Sequence, residues 1–66
     1  MEITLNGTTH EIDDGATIAN LLLQRDLAAT PCAVEVNRQL VPKAKHEQHH
    51  LASGDAVEIV TLVGGG

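Results

Sequence analysis

The sequence predicts a two-layer α+β domain: one helix laid across one face of a small mixed sheet. Three observations lead there. Several short segments alternate apolar and polar residues with the two-residue period of a strand, as in Glu2-Ile3-Thr4-Leu5 and Ala33-Val34-Glu35-Val36. Only one segment repeats at helical spacing, placing Ile18, Leu21 and Leu22 on one stripe. Turn-forming clusters separate the pieces: Asn6-Gly7, Asp13-Asp14-Gly15, Asn37-Arg38 and Ser53-Gly54-Asp55. A helix with a single apolar stripe has to bury it, and in a 66-residue chain the sheet is the available surface.

Taken in order, residues 1–6 read as a strand with Ile3 and Leu5 on one face, and Asn6-Gly7 is the dipeptide favoured in type I′ hairpin turns. A second strand should return over about residues 8–13 with Ile12 inward, His10 sharing that face at the sheet edge. Asp13-Asp14-Gly15 then breaks the pattern and Thr17 caps the helix that carries Ile18, Leu21, Leu22 and, one turn on, Arg25. Pro31 closes the connection. Val34 and Val36 point inward on the next strand, and a turn at Asn37-Arg38 leads to a short strand at Leu40-Val41 that Pro42 ends. Residues 43–53 read as a polar loop with one helical turn and Leu51 tucked in. The last strand covers residues 56–63. The order ββαββ with a final β is the β-grasp arrangement, with a domain over residues 1–63 and a glycine tail over 64–66.

Composition narrows the functions such a domain can serve. Nine acidic residues against four basic ones give a net charge of −5, which repels nucleic acid and favours basic protein partners. Aromatic residues are absent, so there is no platform for stacking bases or a flat cofactor. One cysteine, Cys32, permits no internal disulfide and fits a reducing, cytoplasmic setting. No apolar run approaches membrane-spanning length, and the N-terminal residues read as a strand, not as a signal peptide. A domain this small has little room for a catalytic cleft.

Two groups of residues invite a catalytic reading. His46, Glu47 and His50 fit the H-E-x-x-H pattern that sets two zinc ligands and a general base on one helical face. That pattern requires a stable helix, a third ligand and a cleft, and Gly54 cuts the segment short, so no metal site is assigned; His46, His49 and His50 would suit adventitious binding only. Cys32 sits between Pro31 and Ala33 with no neighbouring base to lower its pKa, and reads as a small, partly buried hydrophobe.

The most informative segment is the end of the chain. Gly64-Gly65-Gly66 directly follow a strand, which puts a carboxylate on a slim arm that can reach about 10 Å beyond the folded body and thread a narrow channel. Frayed ends and linker remnants also carry glycines. If Val57 and Ile59 face the helix, then Glu58, Val60 and Leu62 share the outer face, where alternation leads one to expect polar side chains; the two aliphatics beside the tail suggest a docking patch.

These features together, with Gly15-Ala16-Thr17-Ile18 entering the helix, Val36-Asn37 followed by Leu40-Val41-Pro42, and Leu51…Gly54-Asp55…Val57-Glu58-Ile59 near the end, make the whole chain resemble the ThiS family. The resemblance implies a ubiquitin-like fold and a thiamin-pathway sulfur carrier that is a protein cosubstrate and not itself an enzyme. An E1-like adenylyltransferase (ThiF) would activate the Gly66 carboxylate with ATP, and a sulfur donor protein would turn it into a thiocarboxylate. Thiazole synthase (ThiG) would then take the sulfur. The carrier itself would hold no cofactor. The family usually ends on two glycines, so Gly64 is an addition here. A molybdopterin-type sulfur carrier and a ubiquitin-like modifier share the terminal chemistry and remain alternatives, the first tending to longer chains.

Overall fold

The computed structural model describes residues 1–62, and the secondary structure follows the expected order. Strand β1 (Glu2–Leu5) is followed by β2 (Thr8–Glu11), helix α1 (Ile18–Gln24), β3 (Cys32–Val36), β4 (Gln39–Val41), a 3₁₀ turn (Lys43–Lys45) and β5 (Ala56–Thr61). The sheet runs β2-β1-β5-β3-β4. The first and last strands are central and parallel, and every other pairing is antiparallel.

Both hairpins close through two residues with positive φ, Asn6 (50°) and Gly7 (83°) in one, Asn37 (52°) and Arg38 (70°) in the other. That is the type I′ geometry whose twist matches the strands it joins. The asparagines do more than turn the chain. The Asn6 side chain accepts from the Ile59 N–H (2.8 Å) and donates to the Ile59 carbonyl (3.2 Å), extending the β1–β5 ladder past the last backbone pair, Leu5 with Val57. Asn37 accepts from the Ala56 N–H and donates to the Asp55 carboxylate, each at 3.0 Å. Two turns thus hold the start and the middle of β5.

Helix α1 opens on a capping box: the Thr17 hydroxyl accepts from the Asn20 N–H, and the Asn20 side chain accepts from the Thr17 N–H. It ends in a Schellman motif, with Leu27 N–H on the Leu22 carbonyl and Asp26 N–H on that of Leu23. Asp26 occupies the left-handed position (φ 62°) that glycine usually takes, and Leu27 folds back onto the core. Between helix and sheet lie Ile3, Leu5, Ile12, Ile18, Leu21, Leu22, Val34, Val36, Val41, Leu51, Val57 and Ile59, all buried. Ile12 is inward as expected, although β2 stops one residue before it.

Residues 43–53 are more tightly built than a polar loop. The segment hydrogen-bonds to the helix entry through Ile18 N–H to the His49 carbonyl, Ala19 N–H to that of His46 and Leu51 N–H to that of Ala16. His46 is 5% exposed, and its Nε2 lies 2.9 Å from the Val41 carbonyl. The expectation of a solvated loop residue at 46 is therefore corrected. A polar side chain is drawn under the surface here because its ring can satisfy a buried carbonyl.

Candidate functional site

Strand β5 forms the middle of the site because it is central in the sheet and leads towards the tail. Alternation sends Val57 and Ile59 into the core and leaves Glu58, Val60 and Leu62 outside. Val60 is 59% and Leu62 53% exposed. The register fills in the rest of this outer face. Ala33 lies opposite Val60, Glu35 opposite Glu58, and Leu40 opposite Glu35. Leu40, 65% exposed, thus adds a third aliphatic to the two foreseen. Alternation about Val41 was the signal that could have found it. The Leu62 N–H donates to the Pro31 carbonyl (2.9 Å), fixing the chain just before the tail. Gly64, Gly65 and Gly66, like Val63, lie outside the described residues.

The other singled-out residues sit elsewhere. Cys32 pairs with Thr61 on the inner side of the sheet, half-buried against the core, as a small hydrophobe would be. His10 lies opposite Ile3 on edge strand β2, and its Nε2 is buried with no hydrogen-bond partner among the described residues. The H-E-x-x-H residues do not share a helical face: His46 turns in to the Val41 carbonyl, while His50 Nδ1 reaches the Gly15 carbonyl at 2.9 Å. Among the described residues no three His, Cys, Asp or Glu side chains gather to hold a metal ion, and no helix is long and apolar enough to cross a membrane.

Electrostatics around the sheet are uneven. At one end the Met1 ammonium lies 3.1 Å from Asp14 and 3.7 Å from Glu11 and donates to the Ile12 carbonyl. The Asp14 contact, with help from Glu11, raises the pKa of this amine above its ordinary 8.0. The four basic side chains lie off the strands: Arg25 at the helix end, Arg38 in a turn, and Lys43 and Lys45 in the 3₁₀ turn. The described residues thus present an outer sheet face that combines exposed aliphatic and acidic side chains.

Comparison with known proteins agrees with that geometry. The ThiS family model matches residues 3–66, nearly the whole chain. This chain belongs to the ThiS family. A crystal structure of the thiamine biosynthesis protein ThiS from Geobacter metallireducens superposes over the full length of both chains with a TM-score of 0.84 at 28% identity, so the β-grasp reading holds. The sulfur carrier protein ThiS of Escherichia coli is 30% identical over 66 residues, again covering both chains completely. Two thiazole synthases, from Paramagnetospirillum magneticum (33% identical) and Magnetococcus marinus (35% identical), also match along all of this ThiS-family chain. The chain spans about a fifth of the length of each, 20% in both cases.

Proposed function

We propose that this ThiS-family chain is a sulfur carrier for thiazole formation in thiamin biosynthesis, acting as a cosubstrate while its partners supply the catalysis. The observation that carries the reading is the full-length match in fold and sequence to ThiS proteins of the same size, together with Gly65-Gly66 in the matched region. The reacting group is the carboxyl of Gly66. A carboxylate resists nucleophiles. ATP and an E1-like adenylyltransferase would convert it to an acyl-adenylate, expelling pyrophosphate, and hydrosulfide released by a donor protein would attack the acyl carbon, displacing AMP and losing its proton to leave a thiocarboxylate. Thiazole synthase would take the sulfur. Two thiazole synthases that contain a matching stretch support that partner and favour the thiamin pathway over molybdopterin synthesis or lysine conjugation.

The tail reaches the active site and the outer face of β5, with Glu58, Val60 and Leu62, docks the enzyme. These two roles separate in mutants. Appending alanine after Gly66 should stop adenylation while leaving binding to the activating enzyme intact, because it moves the carboxylate and adds a Cβ. Val60→Asp or Leu62→Asp places a charge in an apolar contact and should weaken binding itself. Titration calorimetry with circular dichroism controls reads both effects. Wild-type binding by the aspartate variants would overturn the docking assignment, and adenylation of the extended chain would overturn the tail assignment.

A further inference from the structure

The outer sheet face carries two pairs of glutamates set directly across neighbouring strands, Glu2 with Glu11 and Glu35 with Glu58. Side chains so placed stand about 5 Å apart at Cβ, and like charges there repel. The two pairs are not equivalent. The Met1 ammonium lies 3.7 Å from Glu11 and offsets the first pair. Glu35 and Glu58 are both exposed, and among the described residues neither has an ion-pair partner. Beside this second pair stand Leu40, opposite Glu35, and Val60, the next outward residue after Glu58, each more than half exposed, with Leu62 one outward step further along the chain. An unneutralised carboxylate pair bordered by aliphatic side chains is a poor feature for a free domain and a good receptor for a cation that arrives on an apolar surface.

Building on the carrier reading above, we infer that the Glu35–Glu58 pair is the centre of the docking face, and that the partner protein covers it with an arginine or lysine flanked by aliphatic side chains. Charge selects the occupant. A second copy of this chain would set carboxylates against carboxylates, and nucleic acid or an anionic membrane would be repelled. A guanidinium between the two carboxylates turns their mutual repulsion into two attractive contacts, and closure of the apolar rim removes the water that would screen them. The pair therefore favours complex formation without stabilising the free fold.

The test uses the full chain and its Glu35→Gln, Glu58→Gln and double variants, titrated at low and high salt against a purified E1-like adenylating enzyme and a purified thiazole synthase. The expected result is binding of at least one enzyme that weakens tenfold or more in the double variant, about 1.4 kcal/mol, with a flatter salt dependence. The melting temperature of the free double variant should stay level or rise. Unchanged affinity for both enzymes, a fall in melting temperature, or wild-type binding to neither enzyme would overturn the inference. At saturating enzyme the double variant should still acquire the thiocarboxylate. Salt-dependent binding through this pair without any sulfur transfer would count against the carrier function and leave the docking assignment standing.

Discussion

Replacing Asn6 by alanine should cost this domain about 2–4 kcal/mol, a large share of what 66 residues can supply. The side chain makes two hydrogen bonds to the Ile59 backbone, at 2.8 and 3.2 Å. Each contributes about 0.5–1.5 kcal/mol, and stranding a partly buried partner adds to the loss. Asn6 also sits at φ 50°, where alanine costs about 1 kcal/mol more than glycine or asparagine. A domain of this length has a total stability on the order of 3–10 kcal/mol. Asn6→Gly separates the two contributions, since it loses the hydrogen bonds and keeps the backbone relaxed; it should fall between wild type and alanine. Asn6→Asp keeps the acceptor for the Ile59 N–H but turns an oxygen towards the Ile59 carbonyl, and should resemble glycine or be worse. Urea unfolding followed by circular dichroism gives all three free energies. If alanine lies within about 0.5 kcal/mol of wild type, the bridge from the first turn to β5 does not hold the sheet centre, and the reasoning fails.

Two further perturbations follow from the same structure. His46→Ala should destabilise the fold by about 1–3 kcal/mol, because it opens a buried site and leaves the Val41 carbonyl without its partner, whereas His50→Ala on the exposed side should cost less than about 1 kcal/mol; thermal melts of the two variants should rank in that order. The raised pKa of the Met1 amine means that its ammonium stabilises the folded chain fully below about pH 8.0 and that this contribution disappears as pH rises through the higher folded value. Unfolding free energy should accordingly fall on the alkaline side, and Asp14→Asn, which removes the largest cause, should flatten the decline in a pH series.

The sequence made the layers legible because each layer rests on a local pattern. Ile3 and Leu5, Val34 and Val36, and Val57 and Ile59 alternate cleanly and are all buried, and the stripe of Ile18, Leu21 and Leu22 faces them. Asn6-Gly7 announced its hairpin by composition. The Asn37-Arg38 turn was also visible, although arginine at φ 70° is an uncommon choice. What stayed hidden depends on contacts distant in sequence. Nothing local to Asn6 tells that its side chain reaches Ile59, 53 residues away. The helix end was obscure because Asp26 holds the position where glycine is expected. His46 read as solvated because its neighbours are polar, and only the return of residues 43–53 across the helix entry buries it. On the candidate face, period alone shows that Glu58, Val60 and Leu62 point outward, and it does the same for Glu35 and Leu40; what only the strand register shows is that Glu35 lies beside Glu58 and Leu40 beside Glu35.

The most direct test of the carrier function is the mass of the chain after incubation with an E1-like adenylating enzyme, ATP and a sulfur donor. Exchange of one oxygen for one sulfur, confined to the peptide that ends in Gly66 and undiminished in a Cys32→Ala variant, is the predicted result. Sulfur found on Cys32 with the terminal peptide unchanged would contradict the account.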